Sequence, residues 1–126
     1  MVVTRNIILY SLLVMCLSAL FGCGKKADEN KPIAEVKAEA EQMNTKELRA
    51  MALAYKEAMM AKQKNVKKLN ARLGLIRTTE MPSKKDQRLI ADIYSLNKSI
   101  SALTERFRIY YNKLKEKGGD VSGLEL

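Results

Sequence analysis

Histidine and tryptophan are absent from the 126 residues, and proline occurs only twice. Without histidine the chain lacks the commonest general base and the commonest metal ligand. The two cysteines, Cys16 and Cys23, both lie near the N-terminus, so neither a zinc site nor a disulfide framework can be assembled from them. Glycine is sparse, with six residues. No Gly-rich phosphate loop is present, since Arg72-Leu73-Gly74-Leu75 has one glycine and no Lys-Ser or Lys-Thr pair behind it. A Gly-x-Ser-x-Gly elbow is missing too. Glu35, Glu39 and Glu41 come closest to a carboxylate cluster, and a solvated helix face accounts for their spacing. These absences predict a protein that is not an enzyme and uses no cofactor or metal.

What is present is helix-forming and basic. Hydrophobic residues make up 47% and charged residues 29%, with 23 Lys and Arg against 14 Asp and Glu, a formal charge of +9. The length allows one small domain. Residues 1–6 are a polar start carrying Arg5, and residues 7–21 are an apolar run (IILYSLLVMCLSALF) followed by Gly22, Cys23 and Gly24. A positive start, an apolar stretch and a small residue before the cut describe a cleaved signal peptide over 1–22. The run is short for a spanning helix, which takes ~20 apolar residues. Cys16 sits inside it as a small hydrophobe.

Leu20-Phe21-Gly22-Cys23 resembles the lipobox of bacterial lipoproteins. It matches at Leu20, Gly22 and Cys23, with Phe21 where that pattern has Ser or Ala. The resemblance implies a diacylglycerol on the Cys23 thiol, cleavage before it by a type II signal peptidase, and acylation of the new amino group. Two or three chains anchor stably, each buried CH₂ contributing ~0.8 kcal/mol. It also implies a bacterial cell-envelope location, lipid-anchored on the extracytoplasmic side. With Gly24 in place of Asp, that means the outer membrane in a two-membrane host. The alternative is an uncleaved anchor with Cys23 incidental. Lys25 and Lys26 outnumber Arg5, which would then favour a cytoplasmic C-terminal side.

Residues 23–31 are charged and lack large apolar side chains, the composition of a lipidated flexible tether. Pro32 suits a first helical position, and Ile33, Val36, Ala40 and Met43 follow at helical spacing. Asn44 and Glu47 read as a capping box. Either a short third helix at 32–43 precedes the main one, or a single helix runs through. Nothing in 41–46 breaks helix strongly, which tilts the reading toward continuity. Next, Leu48, Ala52, Tyr55, Met59, Lys62, Val66, Leu69, Leu73 and Ile76 alternate by four and three, and only Lys62 is not apolar. Leu89, Ile93, Leu96, Ile100, Leu103, Phe107, Tyr110 and Leu114 repeat the pattern without interruption. Residues 77–83, containing Met81-Pro82 and the capping candidate Ser83, make the turn. Lys113, Lys115 and Lys117 and then Gly118-Gly119 end the second helix at about 117, leaving 118–126 as a loose tail.

Two long helices joined by a short turn run antiparallel. The expected fold over 32–117 is all-α, an antiparallel two-helix coiled-coil hairpin. Folding it about position 81 sets Leu69 opposite Ile93, Tyr55 opposite Phe107 and Ala52 opposite Tyr110. A core so thin calls for a third helix, for self-association into a homo-oligomer, or for an envelope protein partner. Met51, Met60, Ile90, Tyr94, Ile109 and Tyr111 lie outside the seam and are candidate surfaces for that contact.

Charge is uneven. Residues 56–88 hold ten Lys and Arg against Glu57, Glu80 and Asp86, an excess of +7. Lys64, Lys67, Lys68, Arg72, Lys84, Lys85 and Arg88 form the candidate polyanion-binding set, placed by the turn in the half far from the lipid end. An anionic envelope polymer or anionic membrane fits such a set. Nucleic acid does not fit an exported chain without aromatic interleaving or a recognisable module. The leading expectation is a lipid-anchored, non-enzymatic structural or protein-interaction module. Alternatives are a polyanion- or membrane-binding module and an assembly-factor, pilotin-like lipoprotein.

Overall fold

The computed structural model describes residues 26–76 and 83–126, and all its regular structure is helical. The expected signal peptide, the apolar run, Cys23 and the Met81-Pro82 turn lie outside the described residues. Three helices follow in order: α1 (Ile33–Gln42), α2 (Thr45–Ile76) and α3 (Lys84–Glu116). The 32-residue α2 and 33-residue α3 form the antiparallel pair, each about 50 Å long. Ser83 opens α3, its backbone N–H donating to Asp86 Oδ2 at 2.7 Å while the Asp86 N–H donates back to Ser83 Oγ at 3.4 Å. At the other end Gly118 takes φ +71°, a conformation costly for any residue with a Cβ, and the Gly119 N–H reaches Leu114 O at 2.9 Å.

The continuous first helix is corrected. Met43 is extended (φ −80°, ψ 143°) and separates α1 from α2. The reciprocal bonds Glu47 N–H to Asn44 Oδ1 (2.9 Å) and Asn44 N–H to Glu47 Oε2 (3.0 Å) satisfy donors that a continuous helix would have bonded internally. Freed by this break, α1 turns back along the hairpin, parallel to α3 and mainly against it. Lys31 lies at Arg106, Glu39 at Tyr110 and Glu41 at Lys113.

Burial divides the hairpin. Leu48, Ala52, Tyr55 and Met59 of α2 and Leu103, Phe107, Tyr110 and Leu114 of α3 are buried, joined by Val36, Ala40, Met43, Met51 and Leu124. Tyr55 and Tyr110 stack at the centre with ring centroids 5.5 Å apart. This sits one helical turn away from the expected facing of Tyr55 and Phe107, because the two tyrosines bury their rings together while both hydroxyls reach the flank held by residues 28–43, at Asp28 O and Glu39. Phe107 stacks on Tyr111 instead. Toward the turn no apolar side chain is buried among the described residues. Val66, Leu69, Leu73, Leu89, Ile93, Leu96 and Ile100 are half-buried, as expected where two helices pack with nothing above or below. Of the six side chains outside the seam, Met51 joins the core and Ile109 and Tyr111 pack against it, whereas Met60, Ile90 and Tyr94 stay exposed.

Both segments expected to be loose are docked. In the tether the Tyr55 hydroxyl donates to Asp28 O at 3.0 Å, and Arg106 donates from Nε and Nη2 to Lys31 O at 2.9 and 2.6 Å. In the tail Arg49 donates to Asp120 O at 2.7 Å and Ser122 O at 2.9 Å, and Lys56 to Gly123 O at 3.1 Å. Leu124 inserts into the core with 1% of its surface exposed. Long side chains from the helices supply donors for backbone carbonyls that would otherwise need water, and this holds short polar segments in place.

Candidate functional site

The flank between α2 and α3 changes occupant along its length. Near the open end it is filled by residues 28–43. On α3 the partners of that segment are Ser99, Arg106, Tyr110, Lys113 and Lys117, a stripe repeating by seven, four, three and four. On α2 they are Tyr55 and Lys62. Continued toward the turn at the same steps, the stripe passes through Ser95, Asp92, Arg88 and Lys85 on α3, and Asn65, Leu69 and Arg72 on α2. These residues line two adjoining open grooves of about 550 and 410 Å³ that share Arg72 and Asp92. A smaller space of about 230 Å³ beside Glu29 and Asn30 shares Ser95 and Leu96 with the first groove, so filled and open parts are one continuous channel.

All seven candidate basic residues are exposed. The structure brings four together: Lys68 and Arg72 from α2 face Lys85 and Arg88 from α3 across a floor containing Leu69, Leu89 and Leu96. Lys64, Lys67 and Lys84 do not line the grooves. None of the seven pairs with a carboxylate among the described residues, even though Asp92 lies in the same channel. Arg77 and Glu80 lie outside the described residues.

In the filled half Glu29, Lys31, Glu39, Glu41, Arg106 and Lys113 each have an answering group, while Lys26 and Lys98 line the flank without an ion pair among the described residues. Ser99 and Lys62 both contact Glu29, Lys62 at 3.2 Å. The Ser99 hydroxyl lowers the Glu29 carboxyl below its ordinary value, with burial working against it and Lys62 adding to it. Burial works to lower Lys31, but Glu39 and Glu35 outweigh that and raise its ammonium above the usual lysine range. Burial, then the acceptor Glu39, pushes the Tyr110 phenol well up, so it stays a neutral donor at 3.0 Å to that carboxylate. Lys113 is raised by Glu116 and Glu41, and Glu41 is lowered in turn by Lys113. Arg106, 8% exposed, spends its donors on Lys31 O and Ala102 O.

Lys26 lines a space with Met51 and Tyr55, about a third of the way along α2. Residues from Lys26 onward therefore lie on the flank of the hairpin, whereas Cys23 and its distance from the basic half lie outside the described residues. Among the described residues no group of three or more His, Cys, Asp or Glu could hold a metal ion, and no helix is long and apolar enough to cross a membrane. Comparison with protein-family models, with curated proteins and with solved structures finds no match to the chain.

Proposed function

We propose that the protein is a lipid-anchored, non-enzymatic helical module of the bacterial envelope, whose work is to hold another macromolecule against its hairpin. The lipobox-like Leu20-Phe21-Gly22-Cys23 supports the anchor. The observation that carries the interaction role is the channel between α2 and α3, closed by the chain's own residues 28–43 in one half and, among the described residues, open in the other. A hairpin that served only as a spacer would have no use for a groove with an apolar floor and four bases that lack carboxylate partners among the described residues. An assembly-factor role is one form of this reading.

Metabolic labelling tests the anchor. Radiolabelled palmitate should enter the wild-type chain and be lost from Cys23→Ala, and inhibition of signal peptidase II should accumulate the unprocessed form. Labelling that persists in the variant would overturn the assignment. A second reading, capture of an anionic polymer or lipid surface, draws on the same bases. It predicts co-sedimentation with cell-wall polymer or anionic vesicles that weakens steeply with salt, since the Debye length is only ~8 Å at physiological ionic strength.

A further inference from the structure

We infer that the open half of the channel is a docking site for an acidic amphipathic helix of a partner protein, laid down as α1 and the segment leading into it are laid in the filled half. The molecule supplies the template. Residues 28–43 carry Asp28, Glu29, Glu35, Glu39 and Glu41, and they sit on the α3 stripe from Ser99 to Lys117 with apolar Val36, Ala40 and Met43 turned into the core. The same stripe continues through Ser95, Asp92, Arg88 and Lys85. There the floor is still leucine and the rim turns basic with Lys68, Arg72, Lys85 and Arg88, while among the described residues Asp92 is the one carboxylate lining this part of the channel. An occupant must therefore be apolar on one side and negative on both edges.

Other occupants fit less well. A second copy docked flank to flank would set the same four bases against themselves, and like charges in contact cost several kcal/mol. A flat anionic bilayer or polymer could meet the basic rim but not the leucine floor recessed between two helices, whereas a helix reaches such a floor with side chains at i, i+3 and i+4. The inference takes from the proposed function only that the hairpin is an interaction module. Loss of palmitate labelling in the wild type would leave it standing, and its own failure would leave the anchor standing.

The test uses the full-length chain in nonionic detergent and a fluorescein-labelled synthetic peptide of roughly 12 residues, matching about 18 Å of open channel. Its leucines fall at i, i+3 and i+4 and glutamates fill the remaining positions; a control peptide has the same composition with the leucines scattered. Fluorescence anisotropy should show the amphipathic peptide binding at least about tenfold more tightly than the control. The triple variant Lys68→Glu, Arg72→Glu, Arg88→Glu should weaken it by about tenfold or more. The triple variant Lys64→Glu, Lys67→Glu, Lys84→Glu changes the net charge equally and should weaken it less than about threefold. If the channel variant loses helical circular dichroism, the same three positions changed to Gln replace it. Equal losses in the two charge variants, equal binding of the two peptides, or no binding would each overturn the inference. So would phosphatidylglycerol vesicles binding with the same channel dependence while the peptide does not, which would make a lipid surface the occupant.

Discussion

Residues 103–114 and 89–100 of α3 carry the same apolar period, yet the first stretch is buried and the second is only half so. Leu103 is 2% exposed and Leu114 fully enclosed, while Leu89, Ile93, Leu96 and Ile100 all keep part of their surface in water. The heptad spacing decides which side of each helix meets the other. How deeply that side is buried depends on what lies over the flanks. At the open end α1, the tether and the tail wrap the pair; toward the turn the described residues provide no cover. The lesson is that seam purity is a statement about direction, and the extra layers are a statement about depth.

That contrast can be broken most directly with two matched truncations. Leu103→Ala should cost about 2–5 kcal/mol, the usual range for a core leucine, whereas half-buried Leu96→Ala should cost about 1 kcal/mol. Urea unfolding measures both. Equal costs would mean that the added layers contribute nothing to the packing they cover. A smaller effect is expected from Arg106→Ala, which removes the guanidinium bonded to Lys31 O. A charged hydrogen bond is worth about 1.5–3 kcal/mol, and hydrogen exchange should quicken in residues 28–43 while the half toward the turn is unchanged. Asn44→Ala should cost about 1 kcal/mol by removing the cap of α2, read as earlier fraying at the α1–α2 corner.

The smallest effect is on pH. The Glu29 and Glu41 carboxyls are held below their ordinary values in the folded protein, so the stability they contribute is complete above the unfolded value of about 4.3. It is lost as pH falls through their lowered folded values. Hydrogen exchange at pH 3 compared with pH 6 should show residues 26–43 loosening first. At the other extreme Lys31 and Tyr110 are raised, so what they contribute is complete below about pH 10 and is lost as pH climbs through their folded values. Uniform acid loosening along both halves would erase the distinction between filled and open flank.

The hairpin was legible because Leu48 to Leu73 and Leu89 to Leu114 repeat by three and four with a single interruption, and that interruption, Lys62, takes Glu29 as its partner. The α1–α2 break was written in Asn44 and Glu47, but their cap competes with helix continuation by only about a kcal/mol, too little for local pattern to decide. The docked tether and tail were not legible. Their polar composition is that of solvated chain, and what holds them is donors from far along the sequence: Arg106 for Lys31, Arg49 for Asp120 and Ser122. Leu124, with Val121 three residues before it, was the hint that the tail returns to the core. As for the site, composition marked seven basic residues, and only the third dimension separates the four that share a channel from the three that do not.

Lys26 beside Tyr55 has a mechanical consequence once Cys23 is acylated. Three residues of chain reach at most about 11 Å. From Tyr55 the hairpin extends about 15 Å to the start of α2 and about 31 Å to its end. Under that proposal a tie shorter than either arm would keep the rod from standing on end and would lay it along the bilayer as an unequal beam on a fulcrum. A load taken up by the open channel would then act on the longer arm, with roughly twice the leverage available to the wrapped end.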